Sequence, residues 1–139
     1  MTGELIGFAA AILIVGILIF VAMSATKKRS TTFDKEEYQS DFLRIENTLT
    51  RENELSWNAV VTDADKLLDK ALNEAGAPGR TMGDRLKSSG NKFSQLNAVW
   101  YAHKLRNQIA HEHKFKLDYK QASHALSTYK QALRDLGAI

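Results

Sequence analysis

The sequence has no cysteine and only one proline, Pro78. Without cysteine, the chain can form no disulfide, no thiolate metal site and no cysteine nucleophile. Segments that alternate apolar and polar residues, as half-buried β-strands do, are also missing. No stretch repeats elsewhere in the chain. These absences leave an all-α fold as the prediction.

The signatures of phosphate-binding loops and metal sites are absent as well. Neither G-x-x-x-x-G-K nor G-x-G-x-x-G occurs, so no nucleotide-binding glycine loop is predicted. Asp63 and Asp65 point to different faces of a helix, and no His or Glu three or four residues further on completes a metal site. Asp65 and Asp69 share a face, which predicts a solvated or salt-bridged surface. We therefore predict neither a metal nor a cofactor.

A long apolar run occupies the start of the chain. Leu5 to Met23 is nineteen residues without a charge. A helix of this length crosses a hydrocarbon core of about 30 Å. The run predicts a transmembrane helix over residues 5–24, with the lipid bilayer as a partner. A cleaved signal peptide is the alternative, with Ala22 and Ala25 near its cleavage site, but it would need a basic segment before a shorter run.

The charges beside this run predict its orientation. Lys27, Lys28 and Arg29 follow it, and such cationic clusters favour the cytoplasmic side of the membrane. Residues 1–4 are then an extracytoplasmic N-terminus, and residues 25–32 form a basic juxtamembrane linker. Residues 33–139 form a domain in the cytoplasm, tethered to the cytoplasmic membrane by a single pass.

Residues 33–139 have the pattern of an antiparallel four-helix bundle. The first helix opens at Phe33-Asp34, and the second covers about Glu54 to Ala75 after a turn at Thr50–Asn53. One continuous helix is the alternative, because no Gly or Pro enforces a stop there. Apolar residues at helical spacing predict the core positions of these two helices: Tyr38, Phe42, Ile45 and Leu49, then Val60, Ala64, Leu67, Leu68, Ala71 and Leu72.

The second half of this domain follows the chain's strongest turn signal. Gly76 to Gly79 ends the second helix, and a short basic segment from Arg80 to Gly90 includes a brief helical turn at Thr81–Leu86. The third main helix covers Asn91 to about His113, and Asp118 caps the fourth. The core positions of the fourth helix are Ala122, Ala125, Leu126, Tyr129, Leu133 and Leu136.

The third helix carries two different faces. At about 100° per residue, its apolar face consists of Ala98, Ala102, Leu105 and Ile109. The opposite face mixes an aromatic ring with hydrogen-bonding groups: Leu96, Trp100, His103, Asn107 and His111. A helix with an ordinary core stripe needs only the first face. The second face therefore predicts a cleft or a dimer seam.

Within this helix, Arg106 to His111 has the form R-N-x-x-A-H. It resembles the R-x(4–6)-H motif of HEPN domains, which are all-α modules of many prokaryotic toxins and defence ribonucleases. Asn107, the polar residue directly after the arginine, also matches that family. The resemblance implies a HEPN-like helical bundle that forms a homodimer. It also implies metal-independent cleavage of RNA in a cleft that two protomers share.

The resemblance also implies roles for three residues. His111 would be the general acid or base, Arg106 would stabilise the charge of the phosphorane, and Asn107 would orient the histidine or the phosphate. Imidazole moves protons near neutral pH, and a guanidinium matches two phosphate oxygens. Five residues turn a helix by roughly 500°, so Arg106 and His111 lie about 140° apart. A complete site therefore needs the helix to end near His111, or a second copy of the chain.

Further residues are predicted to bind the ligand beside this motif. They are Trp100, His103, Lys104, Arg80 and Arg85. For His103, a place at the surface or at a helix cap is the competing prediction. A non-catalytic, membrane-tethered module that binds RNA or another protein is the alternative function.

The charge distribution bears on the ligand. Asp34 to Glu74 has eleven acidic and five basic residues, whereas Arg80 to Lys120 has nine basic and three acidic residues. This asymmetry suits RNA as a ligand, or a two-fold dimer in which the acidic and basic halves meet.

Overall fold

The computed structural model describes residues 2–25 and 32–139. All regular secondary structure in these ranges is helical, which confirms the predicted all-α class. The chain divides into two compact units, residues 1–30 and residues 31–139.

The first unit contains helix α1, Thr2–Ala25. Its described side chains are all exposed, including the large hydrophobic ones between Ile6 and Val21. Among the described residues, no helix combines the length and the apolarity that a bilayer crossing requires. The predicted transmembrane helix at residues 5–24 gains no support from this finding. The cluster Lys27–Arg29 of the predicted linker lies outside the described residues.

The second unit is built from the four main helices that the sequence predicts and from one short helix. Asp34 caps the first of them, and Gly137 ends the last in the left-handed conformation. Between Gly90 and Lys92 the chain forms a 3-10 turn. The helices are α2 (Lys35–Thr48), α3 (Glu54–Glu74), α4 (Met82–Ser88), α5 (Leu96–His111) and α6 (Tyr119–Leu136).

The break between α2 and α3 is real, which excludes one continuous helix. Asn53 caps α3 by accepting a hydrogen bond from the backbone N–H of Leu55. The carbonyl oxygen of Thr50 accepts a hydrogen bond of 2.7 Å from Trp57 Nε1. Ser56, which is buried, donates to the carbonyl oxygen of Asn53 at 2.7 Å. These side chains satisfy the backbone groups of the turn, so neither Gly nor Pro is needed there.

Helix α5 is shorter than the predicted span Asn91–His113. The hydroxyl and the backbone N–H of Ser94 both donate to the Asp135 carboxylate at 2.7 Å. This tertiary contact, together with the 3-10 turn before it, delays the start of the helix to Leu96. The core side of α5 includes Val99, which the predicted apolar face omits, whereas Ala98 and Ile109 are only half-buried.

The helices of the second unit pack around one apolar core. Lys70 and Glu37 form an ion pair of 2.6 Å, so the end of α3 lies beside the start of α2 and these helices run in opposite directions. The Ser94–Asp135 contact gives the same relation for α5 and α6. Predicted core residues from all four main helices are buried, among them Tyr38, Phe42, Leu68, Leu72, Leu105, Tyr129 and Leu133.

The contact between Ser94 and Asp135, which joins the start of α5 to the end of α6, depends on pH. Burial raises the pKa of the Asp135 carboxyl, but the hydrogen bonds from Ser94 and from Gln131 outweigh burial and leave the pKa below its ordinary value. A pKa lowered by folding contributes stability above the unfolded-state pKa, and this contribution is lost as the pH falls through the folded-state value.

We therefore expect Asp135→Asn to lower the free energy of unfolding at pH 7 by about 1 kcal/mol, the usual worth of such a hydrogen bond. The difference from the wild type should shrink as the pH falls below about 4. Denaturant unfolding at several pH values measures both. Asp63→Asn is the control, because Asp63 is exposed and its ion pair with Lys66 is 3.9 Å long. An Asp135→Asn penalty that stays constant with pH would contradict the assignment.

Candidate functional site

A groove lies between α3, α4 and α5, with a volume of about 580 Å³. We call it the basic groove. Its walls contain six of the eight predicted site residues: Arg80, Arg85, Trp100, His103, Arg106 and Asn107. The remaining lining residues are Asp65, Lys66, Asp69, Thr81, Met82 and Gly83.

The groove is electropositive because its acids are paired within the protein. Lys66, Arg80, Arg85 and Arg106 line it against only two carboxylates. Asp69 is bound to Arg85, and Asp65 faces His103 and Arg106. The charges left to meet a ligand are those of Arg80, Lys66 and the outer part of Arg106, so the groove suits an anion.

Asp65 is buried against the groove, contrary to the surface position that the sequence predicts. Its residue exposure is 3%. Its Oδ1 lies 2.8 Å from His103 Nδ1 and accepts a 2.8 Å hydrogen bond from the Tyr129 hydroxyl, while Oδ2 lies 3.5 Å from Arg106 Nε. These three partners are what make a buried carboxylate tolerable, since an unpaired one would cost several kcal/mol.

Tyr129 acts as a neutral donor to this carboxylate. Burial raises the pKa of its hydroxyl well above the ordinary value, and the charge and hydrogen bond of Asp65 raise it further. The sequence predicts Tyr129 as a core residue, and it is fully buried. Its ring packs in the hydrophobic core, while its hydroxyl donates a hydrogen bond to Asp65 at the groove.

His103 lies inside the groove wall, so it is neither a surface nor a cap residue. Its side chain is 12% exposed. The ring meets Trp100 edge-on, with centroids 6.2 Å apart. His103 Nε2 lies 3.3 Å from Asn107 Nδ2, one helical turn further along α5.

The hydrogen bonds around Asn107 fix the tautomer of His103. Arg106 Nη1 donates to Asn107 Oδ1 at 3.1 Å, and arginine has no acceptor. The amide NH₂ of Asn107 is therefore the group that faces His103, and Nε2 must accept from it. The proton of a neutral His103 is consequently on Nδ1, from which it is donated to Asp65.

Arg85 has a structural role at one wall. Its guanidinium grips both Asp69 oxygens, at 2.8 and 3.0 Å, and donates to the carbonyl oxygen of Gly79 at 2.9 Å. Gly79 has a φ of +147°, and a Cβ there would lie 2.6 Å from the Asp84 Cβ. Only glycine lets the chain turn this closely into α4. Arg85 therefore holds α4 against α3 and has little left for a ligand.

Arg80 and Trp100 are better placed than Arg85 to contact a ligand. Arg80 is exposed at the rim, where its backbone N–H is held by Asp84. The half-buried Trp100 ring lies behind Gly83, whose missing Cβ would be 3.9 Å from the ring. A Cβ at this distance would make an ordinary van der Waals contact, so the Trp100 ring lies beside the first turn of α4 whether or not the residue is glycine.

Two predicted site residues lie outside the groove lining, namely His111 and Lys104. His111 is the last residue of α5 and is exposed, so the helix does end where a complete motif would need it to end. Lys104 is exposed. The structure thus brings Arg106 and Asn107 to the groove but does not bring His111 to them within one chain.

The sequence contains a signal for one of the groove residues that the prediction omits, Asp65. Asp65 lies four residues after Val61 and three before Leu68, both of which are buried. Its place on the apolar stripe of α3 indicates a charge facing inward. Lys66 has no such signal, because an exposed lysine on a helix is ordinary.

Comparisons with protein-family models, with curated proteins and with solved structures found no match to this chain. The resemblance to HEPN domains therefore depends on the motif and on the helical pattern around it.

Proposed function

We propose that this chain is a membrane-anchored, HEPN-like four-helix protein that binds RNA in the basic groove. The observation that carries the proposal is the groove's charge: both of its carboxylates are paired internally, whereas Arg80 and Lys66 remain toward solvent. Phosphate contacts supply most of the affinity of a non-specific RNA site.

The chemistry of the groove suits a single strand more than a duplex. Trp100 lines the groove with a half-buried aromatic ring on which a base can stack, and the guanidinium of Arg106 lines the same groove. Stacking together with cationic side chains is the usual recognition of single-stranded RNA. A groove of about 580 Å³ suits one or two nucleotides and not a double helix.

The anchor of this proposal is α1, with the second unit in the cytoplasm. The uncharged segment of the sequence runs from Leu5 to Met23, whereas the side chains that the structure describes there run from Ile6 to Ala22. A helix that exposes Ile, Leu, Val and Phe on all sides needs an apolar surrounding. Flotation of the full chain with liposomes tests the anchor, and protein left in the unbound fraction would count against it.

Binding is tested by titrating the full chain, in detergent, into a fluorescent single-stranded RNA. With about three phosphate contacts, the logarithm of the affinity should fall with the logarithm of the salt concentration with a slope of about −2. A duplex of the same sequence should bind more weakly. Anisotropy that does not change with added protein, or an affinity that ignores salt, would reject the proposal.

Metal-independent RNA cleavage by a homodimer is the second candidate function. The observation that favours it is the exposed His111 at the end of α5, where a second copy of the chain could bring it to the Arg106 of its partner. In that case the 2′-hydroxyl would attack the adjacent phosphorus as the P–O5′ bond breaks, leaving a 2′,3′-cyclic phosphate and a 5′-hydroxyl. An imidazole would accept the proton of the 2′-hydroxyl, and a protonated imidazole would donate a proton to the departing 5′-oxygen.

For this candidate we expect cleavage in the presence of a chelator, reduced at least about 100-fold by His111→Ala. The product ends, read by mass spectrometry, should be the cyclic phosphate and the hydroxyl. His113→Ala is the matched control, because His113 is exposed just beyond the helix. Equal cleavage by both variants would remove His111 from the mechanism, while binding without cleavage would leave the RNA-binding function alone.

A further inference from the structure

We propose that Asp65 and His103 are positioning residues, which act through Asn107 to hold the Arg106 guanidinium in the orientation that receives an RNA phosphate. The inference rests on the proposed RNA-binding function and adds two residues to it. It also assigns the tautomer of a neutral His103, with the proton on Nδ1.

Arg106 is held from two sides. Its Nε faces Asp65 Oδ2 at 3.5 Å and makes no hydrogen bond in the structure, while its Nη1 donates to Asn107 Oδ1 at 3.1 Å. The side chain keeps 30% of its surface exposed. With Nε toward Asp65 and Nη1 bound to Asn107, the guanidinium keeps Nη2 and the second N–H of Nη1 for a phosphate.

The order of donors and acceptors in this network leaves little freedom. Tyr129 and His103 Nδ1 both donate to Asp65, His103 Nε2 accepts from Asn107, and Asn107 accepts from Arg106. Moving the His103 proton to Nε2 would set an N–H against the amide NH₂. It would also leave Asp65 without one of its two hydrogen bonds.

Burying the Asp65 carboxylate costs free energy, so the network needs a reason beyond filling space. A hydrophobic side chain at position 65 would fill the same space without any requirement for partners. Holding Arg106 before the ligand arrives saves the rotamer entropy that a free arginine loses on binding. Pre-organisation of this one cation explains why a carboxylate is buried directly beneath the groove.

The test is a double-mutant cycle on RNA affinity in the full chain in detergent. Arg106→Ala and His103→Leu should each weaken binding, the former by about tenfold, the loss of one charge-assisted contact. In the Arg106→Ala background, His103→Leu should have no further effect. In the Arg80→Ala background, its effect should persist in full, because Arg80 lies outside the network.

His103→Asn can keep an amide nitrogen near the position of Nδ1, facing Asp65, but its side chain is too short to place an acceptor where Nε2 meets Asn107. It should therefore weaken binding as His103→Leu does, and it replaces that variant if the leucine protein does not fold. An additive effect of either variant with Arg106→Ala would overturn the inference.

A spectroscopic measurement on the RNA-free protein gives an independent decision. Long-range ¹H–¹⁵N correlation should show the His103 ring with a protonated Nδ1 and a bare Nε2. The opposite tautomer would overturn the inference even if the protein binds RNA. Conversely, the expected tautomer in a protein that binds no RNA would reject the proposed function and leave the network intact.

Discussion

Asp65→Ala is expected to lower the free energy of unfolding by about 3–5 kcal/mol, the usual cost of removing one partner of a buried ionic network. The substitution leaves the Tyr129 hydroxyl and His103 Nδ1 without their acceptor, and it removes the carboxylate that Arg106 Nε faces at 3.5 Å. Each unpaired buried donor costs about 1–3 kcal/mol. Denaturant unfolding measures the change through Trp57 and Trp100, both of which belong to the second unit.

Two further substitutions separate the charge of Asp65 from its shape. Asp65→Asn keeps an oxygen for Tyr129 and should lose roughly half as much stability as the alanine variant, because neutral hydrogen bonds are about half as strong as charge-assisted ones. Asp63→Ala, two residues earlier and exposed, should change stability by less than about 0.5 kcal/mol. If Asp65→Ala were as mild as Asp63→Ala, the carboxylate would not be an essential part of the fold.

Reversing the charges of Lys66 and Arg80, the groove cations that do not contact Asp65 or Asp69, is expected to abolish most RNA affinity. Lys66→Glu combined with Arg80→Glu removes two phosphate contacts and places two negative charges against the ligand. We expect a loss of at least about 100-fold, which corresponds to about 3 kcal/mol. Anisotropy titration of single-stranded RNA at a fixed salt concentration measures it.

The control for this reversal has the same net charge. Lys116→Glu combined with Lys120→Glu changes two exposed lysines outside the groove lining. Its affinity should fall by only about threefold through the weaker overall field, most of which salt screens. An equal loss in both double variants would show attraction to the whole molecule and not binding in the groove.

The sequence alone determined the helical class, most helix ends and most of the core. The spacing of residues such as Phe42, Leu68 and Leu133 predicts burial, and all three are buried. Capping residues set several ends in the same local way: Asp34 and Asp118 each accept a hydrogen bond from the backbone of their helix's first turn. Such signals need only neighbours within one or two turns, so they can be read without a fold.

The tertiary structure decided which candidate residues meet. His111 is near Arg106 in sequence, but the helix directs the two side chains apart, and His111 does not line the groove. Arg80, which is far away in sequence, does line it because Gly79 lets the chain turn back onto α3 and α5.

Asp65 shows the physical reason for this division. Its pattern on α3 indicates an inward position, yet whether a carboxylate can be buried depends on partners thirty-eight and sixty-four residues away, His103 and Tyr129. Periodicity gives the direction in which a side chain points. Only the packing of α3 against α5 and α6 gives it something to bind, and that packing converts a charged residue on an apolar stripe into the support of a site.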